Sequence, residues 1–329
     1  MDLRERLRGL RPGPGGAKDD RTARRRGRLL AVLSGLTAVL LAFHRAVPNS
    51  PGRLGSLIEA FLPWFGIVVL FLLVGALLRR SALALVAVLL PVAAWTYLFG
   101  GLLLPAGAAG AGDLVVVQHN VSDENPDPAG TARALVDAEP DLIALQELVP
   151  PALGVYEETL AADYPYHVVR GTVGLWSKHP LTEARTLDIK PRDIEEPWSR
   201  ALRAVVDTPQ GEVAAYVVHL PSIRIGAGGL ASARRDESAE LLGRALARER
   251  AGTVVLAGDL NGTVDDRGLA PLTSRLNVAE RGFALSFPAA LPLARIDQVM
   301  AGTATVAEVR TLSATGSDHL PIAARITRH

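Results

Sequence analysis

The chain has 329 residues, 49% hydrophobic but only 5% aromatic, with a mean hydropathy of +0.22: long enough for one large catalytic domain, and apolar enough to place part of itself in lipid. Its 35 basic and 34 acidic residues nearly cancel to a net +1, which excludes a global field that would draw the whole protein to nucleic acid. The absence of cysteine excludes a disulfide framework, a thiolate zinc site and a cysteine nucleophile.

Residues 1–28 are rich in arginine (Arg4, Arg6, Arg8, Arg11, Arg21, Arg24, Arg25, Arg26 and Arg28) and read as a basic, disordered cytoplasmic tail. Three apolar runs follow: Leu29–Phe43, about Leu57–Leu78, and Ala82–Leu104. A helix needs roughly 20 apolar residues to cross a hydrocarbon core of about 30 Å, so residues 29–104 are expected to form a membrane anchor of about three transmembrane helices. Arg79 and Arg80 form a short basic turn between the second and third runs, as expected on the cytoplasmic side. Three crossings that start inside finish outside, which predicts a multi-pass plasma-membrane protein of bacterial type with its larger part extracytoplasmic. The last two runs carry no charge from Phe61 to Leu78 or from Ala82 to Leu104, so the region reads as an anchor in membrane lipid rather than an ion path.

Residues 105–112 read as an Ala/Gly linker, and the pattern changes from Asp113 onward. Strands are expected at Leu114–Gln118, Leu142–Leu145, Gly174–Ser177, Leu202–Asp207, Val213–Val218, Thr253–Ala257 and Gln298–Ala301. Helices are expected at Thr131–Glu139 and, as an amphipathic segment, Ala231–Glu249. Such mixing over residues 113–329 points to an α/β sandwich rather than an all-β barrel.

Polar residues directly after apolar strands carry the chemical information, because strand ends bring side chains to a common rim. Glu147 leaves the strand ending Leu145-Gln146, where a carboxylate suits a hard divalent cation; an exposed strand-end charge is the plainer use. Asp259 and Asn261 follow Thr253–Ala257 between Gly258 and Gly262. They could activate water and hold a phosphate oxygen, or cap their own turn. His319 could stabilise charge on a phosphoryl oxygen if a carboxylate such as Asp297 held its proton and tautomer, or it could be a satisfied core histidine.

In order, the segments Gln118-His119-Asn120, Leu145-Gln146-Glu147, Val218-His219-Leu220, Gly258-Asp259-Leu260-Asn261, Ile296-Asp297-Gln298-Val299 and Ser317-Asp318-His319-Leu320-Pro321 resemble the endonuclease/exonuclease/phosphatase family, which includes deoxyribonuclease I. The resemblance covers nearly all of residues 113–329 and none of the apolar region. It implies a four-layer α/β/β/α sandwich and a metal-dependent hydrolase of phosphate esters. It also implies Glu147, Asn120 and Asp318 on the side of a Mg²⁺ ion, with Mn²⁺ as the alternative. By the same resemblance Asp259 activates water, Asn261 holds a phosphate oxygen, and His219 and His319, the latter oriented by Asp297, stabilise the transition state. Arg200 would face substrate, with Arg203 its competitor. Ser122 stands where some relatives have an acidic residue, and Tyr166 and Trp176 are candidate substrate-facing aromatics whose plainer use is in the core. The implied substrate is a phosphate ester: first a nuclease-like phosphodiester, second a phospholipid or sugar phosphate, with a non-catalytic binding module as the third reading. Nothing in the sequence sets the oligomeric state.

Overall fold

Long leucine, alanine and valine runs build the first part of the chain, and β-branched runs punctuated by turns build the second. A computed structural model, which describes residues 14–105, 107–108, 110 and 112–328, divides the chain into two units. One holds the residues up to Ala46 together with Phe61–Gly100; the other holds Val47–Ala60 together with the chain from Gly101 on.

The apolar region forms helices α1 (Pro14–Phe43), α2 (Leu54–Ala60), α3 (Phe65–Leu78) and α4 (Ala82–Phe99). Two segments, Arg26–Ala46 and Ala82–Leu103, are long and apolar enough to cross a membrane; the bent pair Leu54–Ala60 and Leu62–Leu78 would make a third. Within α1 the hydroxyls of Ser34 and Thr37 donate to the carbonyls of Leu30 and Leu33, so neither needs an outside partner. Two expectations are corrected. The tail expected to be disordered over 1–28 lies outside the described residues as far as 13, and from Pro14 it is helical. Proline is preorganised for a first helical turn, and the Ala and Arg residues that follow are good helix formers feeding into the apolar run. The run Leu57–Leu78 is not one straight helix. It bends by 62° where Pro63, with no N–H to donate, sits in a 3-10 turn.

Helix α2 belongs to the second unit because of Glu59, whose side chain is fully buried there. Arg267 donates to it from Nε at 2.8 Å and from Nη2 at 2.8 Å, and its backbone N–H adds a 3.0 Å bond. The expected linker is also held: Arg325 donates to the carbonyls of Gly107 and Ala108.

The second unit stacks two sheets. The first has the order β12-β13-β1-β2-β4-β3, the second β11-β10-β7-β6-β5. Their strands are β1 (Leu114–Asn120), β2 (Leu142–Gln146), β3 (Tyr166–Arg170), β4 (Val173–Ser177), β5 (Leu181–Thr186), β6 (Ala201–Thr208), β7 (Gly211–His219), β10 (Thr253–Asp259), β11 (Asp297–Gly302), β12 (Ala304–Thr311) and β13 (Ile322–Arg328); a small hairpin of β8 (Arg224–Gly226) and β9 (Gly229–Ala231) stands apart. Side chains alternate across a strand, so one parity of each inner strand fills the space between the sheets: Val116, Ala144, Val217, Ala257 and Val299 among others. The other parity packs outward. Leu256, Val218 and Met300 meet helix α7 (Ala233–Leu246) through Ala239 and Leu242, while Val117, Ile143 and Trp176 meet α5 (Pro128–Val136) and α6 (Ala152–Leu160) through Leu135 and Tyr156. The result is a four-layer α/β/β/α sandwich, in which each fully buried Val or Leu contributes about 1.5–3 kcal/mol.

Candidate active site

The inward-facing parity that is apolar along the strands turns polar at one end. Continuing it gives Gln118 and Asn120 on β1, Gln146 on β2, His219 on β7, Asp259 on β10 and Asp297 at the start of β11. The register gathers them at one edge: Asn120 pairs with Gln146, and Asp259 lies between His219 and Asp297. All six side chains are buried.

Asn120 joins the two sheets. Its amide nitrogen donates to Glu147 Oε1 at 3.0 Å and to Asp259 Oδ2 at 3.1 Å, while its carbonyl oxygen accepts from the backbone N–H of Ser122 at 3.1 Å. Glu147 takes a left-handed backbone conformation (φ 63°) just past β2, which aims its carboxylate back over the strand ends; for a non-glycine residue this costs about 1–3 kcal/mol and is a feature of functional sites. The backbone N–H of Asp123 also donates to it, at 3.3 Å. Asn261 is likewise left-handed (φ 48°), a conformation asparagine tolerates. Its backbone N–H donates to Asp259 Oδ1 at 2.8 Å, and its amide donates to Asp259 Oδ2 at 3.2 Å and to the Leu220 carbonyl at 2.9 Å. Both the turn-capping use of this pair and its convergence on the cluster are therefore present.

His319 donates through Nδ1 to Asp297 Oδ2 at 2.8 Å, and its Nε2 lies 3.9 Å from Asp259. Burial alone would raise the Asp297 pKa, but the charge and hydrogen bond of His319, with donors Ser286 and Gln118, hold it below the ordinary carboxylate value. Burial likewise opposes charge on His319, yet Asp297, then Asp259 and Asp318, lift its pKa to about 10. Asp259 is pushed up to about 7, by burial first and by the negative charge of Asp297 second. His219 is driven down to about 3 by burial and by Arg200 and His319, so it is neutral. Among the described residues neither of its ring nitrogens has a hydrogen-bond partner; Nε2 lies 3.6 Å from Asp259 and 3.8 Å from Glu147.

The remaining expected residues divide. Arg200 sits beside the cluster: its carbonyl accepts from the His219 N–H at 2.8 Å, and its guanidinium lies over Trp198. Arg203 is on the outer face of its strand, buried against Glu249 and Glu183, and has no part in the site. Trp176 is fully buried in the outer core and Tyr166 lies on edge strand β3, away from the cluster. Asp318 is exposed, and among the described residues its side chain makes no ion pair; it acts on His319 through charge.

A model of the endonuclease/exonuclease/phosphatase family matches residues 117–319, more than half of the chain. The chain belongs to this family. Solved structures share the fold of its second unit. An endonuclease/exonuclease/phosphatase from Beutenbergia cavernae is 21% identical with a TM-score of 0.51 over 66% of this chain and 72% of that one. One from Bacteroides vulgatus is 18% identical with a TM-score of 0.53 over 66% and 99%, and D. rerio TDP2 complexed with single-strand DNA product is 16% identical with a TM-score of 0.54 over the same shares. Comparison with curated protein sequences finds no match.

Endonuclease/exonuclease/phosphatase proteins are typically hydrolases of phosphate esters and commonly use divalent metals. Two donor sets here fit a hard cation. Asp259, Asp297 and His319 bring ligand atoms within 4.8 Å of one another. The other is the carboxylate pair Glu147 and Asp259, both accepting from the Asn120 amide nitrogen, while the side-chain oxygen of Asn120 accepts from the Ser122 N–H. The first set is already satisfied internally, because a protonated His319 bound to Asp297 has no lone pair to give. In the second, Glu147 and Asp259 have only histidines as ion-pair partners among the described residues.

Sequence reasoning left three supporting residues unassigned. Gln118 donates to Asp297 at 3.0 Å and to Gln146 at 2.6 Å, Ser286 donates to Asp297 at 2.6 Å, and Phe287 packs its ring 4.8 Å from that of His319. The two glutamines stood in the recognised segments; Ser286 and Phe287 carried no local signal.

Proposed function

We propose that the protein is a membrane-anchored, Mg²⁺-dependent phosphodiesterase acting outside the cytoplasm. The observation that carries the reading is the convergence of Glu147 and Asp259, two carboxylates with no arginine or lysine ion-pair partner among the described residues, on Asn120 at the edge where His219 and the Asp297–His319 pair also lie. Glu147, beside Asn120, would hold the ion, for which Mn²⁺ is the alternative, and a bound divalent cation supplies positive charge to a phosphoryl oxygen.

The residues of the chain do the rest. Asp259, its pKa pushed up to about 7, takes the proton of the attacking water. Protonated His319, oriented by Asp297, donates to the phosphoryl oxygen as negative charge builds, and neutral His219 and the Asn261 amide complete the ring of donors. Arg200 faces the substrate beside them. Asp318, exposed beside His319, adds negative charge that favours the protonated imidazole.

Anchoring is supported by the outward leucines, valines and phenylalanines of α1, α3 and α4, such as Leu36, Phe71 and Leu89. Orientation is supported by the placing of arginines, at the N-terminal side of the first apolar run and at Arg79 and Arg80 between the second and third.

The test uses the full chain in detergent with bis-p-nitrophenyl phosphate. Turnover should require Mg²⁺ or Mn²⁺ and stop in EDTA, and Asp259→Asn should lose about 10²- to 10⁴-fold in kcat with an unchanged circular dichroism spectrum. Turnover that persists in EDTA, or a near-normal Asp259→Asn rate, refutes the reading.

A further inference from the structure

A cavity of about 630 Å³ opens directly beside the catalytic cluster, between the loop after His219, the β8–β9 hairpin and the start of α7. Its lining includes Arg53, Arg200, Arg224 and Arg234 and a single carboxylate, Asp193. Asp193 is engaged by Arg234 at 2.8 Å, and Arg53 pairs with Asp236. Arg200 and Arg224 have no carboxylate partner among the described residues, and Trp198 gives the cavity an aromatic wall under the Arg200 guanidinium. A space with two free guanidinium groups and no unengaged carboxylate favours an anion.

One wall comes from outside the family-matched region. Val47–Ala60, the segment between the first two apolar helices, carries Arg53 into the cavity and is seated on the catalytic domain at both ends. Near its middle the backbone N–H of Leu230 donates to the Gly52 carbonyl at 3.0 Å, and Gly229 approaches so closely that a Cβ there would lie 2.0 Å from that oxygen. At its two ends Arg267 grips the Val47 carbonyl and Glu59.

We infer that this loop completes a substrate pocket that receives a second anionic group, beyond the scissile phosphate, carried on a compact headgroup such as that of an anionic phospholipid. The inference rests on the hydrolase reading for the scissile group. A volume of this size suits one headgroup rather than a nucleic-acid strand, and the chain's net charge of +1 offers no extended basic field for a polymer. Arg53 is also only seven residues beyond Ala46, the end of an apolar segment, so chain reach alone keeps it within about 25 Å of the bilayer if that segment spans.

Two measurements on the full chain in detergent test this. The first is calorimetric binding of inorganic phosphate in EDTA, where the metal-free carboxylate cluster repels anions and the cavity is the favoured site. Phosphate should bind, and both Arg224→Gln and Gly229→Ala, which displaces the loop at Gly52, should weaken it at least about tenfold. Absence of binding, or an unchanged affinity in Arg224→Gln, overturns the pocket. The second compares kcat/KM for phosphatidylserine and phosphatidylcholine, each in mixed micelles with the detergent, and for a single-stranded oligonucleotide. A preference of about tenfold or more for phosphatidylserine, lost in Arg224→Gln, supports the assignment; a preference for phosphatidylcholine or the oligonucleotide overturns it. Phosphate binding in EDTA does not depend on turnover, so a protein that binds phosphate there yet hydrolyses nothing refutes the catalytic reading and leaves the pocket standing.

Discussion

Replacing Asp297 by Asn tests the central electrostatic argument, because it keeps the shape of the side chain and removes its charge. Asp297 holds the His319 pKa at about 10 against an ordinary 6.5, with burial pulling the other way. Asp297 supplies the largest raising contribution, so without its charge the His319 pKa drops toward the ordinary 6.5, with Asp259 and Asp318 left to oppose burial. At a pKa of about 6.5 the protonated fraction at pH 8 would be about 0.03, so the loss from charge alone is at most roughly 30-fold. Weakening of the 2.8 Å bond that fixes the ring, whose acceptor becomes a neutral amide, should extend the total to about 10²- to 10³-fold in kcat/KM. The stability effect has a definite sign. The raised His319 pKa contributes stability that is complete below 6.5 and lost as pH rises through about 10, while the depressed Asp297 contributes above 3.8. The melting-temperature gap between wild type and Asp297→Asn should therefore be widest between about pH 4 and 6.5 and close toward pH 10. The assays are bis-p-nitrophenyl phosphate kinetics against pH and NMR titration of the imidazole. A variant within about threefold of wild type at pH 8, or one whose His319 still titrates near 10, refutes the reasoning.

Asp259, raised to about 7, must be ionised to act as a base, so kcat/KM at low Mg²⁺ should climb about tenfold per pH unit up to about 7 and level off; a flat profile from about pH 5 to 8 contradicts that role. The two neighbouring arginines should separate cleanly. Arg203→Ala breaks a buried network with Glu249 and Glu183 and should cost about 3–5 kcal/mol in chemical denaturation while leaving kcat of the folded enzyme unchanged, whereas Arg200→Ala should raise KM with little change in stability. Glu59→Gln should free the loop from Arg267 at a cost of about 1–3 kcal/mol, read as new protease cleavage within residues 47–60; unchanged protection there would show that the ion pair does not hold the loop.

Much of the site was legible before the fold. The apolar runs that end in Asn120, Glu147, His219 and Asp259 are local patterns, and period-two alternation puts the last inward residue of each strand on the side of the central core. The helices and strands named from periodicity are present, with ends displaced by a few residues, since caps and last turns depend on neighbours. The short or exposed strands at Tyr166–Arg170, Leu181–Thr186 and Ala304–Thr311 were not legible, because their alternation is weak on the solvent side of an edge.

What the residue order determined by itself is therefore the chemistry available and the edge at which it collects, because both follow from residue type and strand parity. Tertiary structure alone decided which groups meet: that one Asn120 amide serves both Glu147 and Asp259, that Arg203 turns outward into a carboxylate pair while Arg200 faces the cluster, and that Glu59 draws the loop between two apolar helices onto the catalytic domain. Those outcomes hang on charges buried against partners as many as 208 positions away, and no local pattern encodes a partner at that distance.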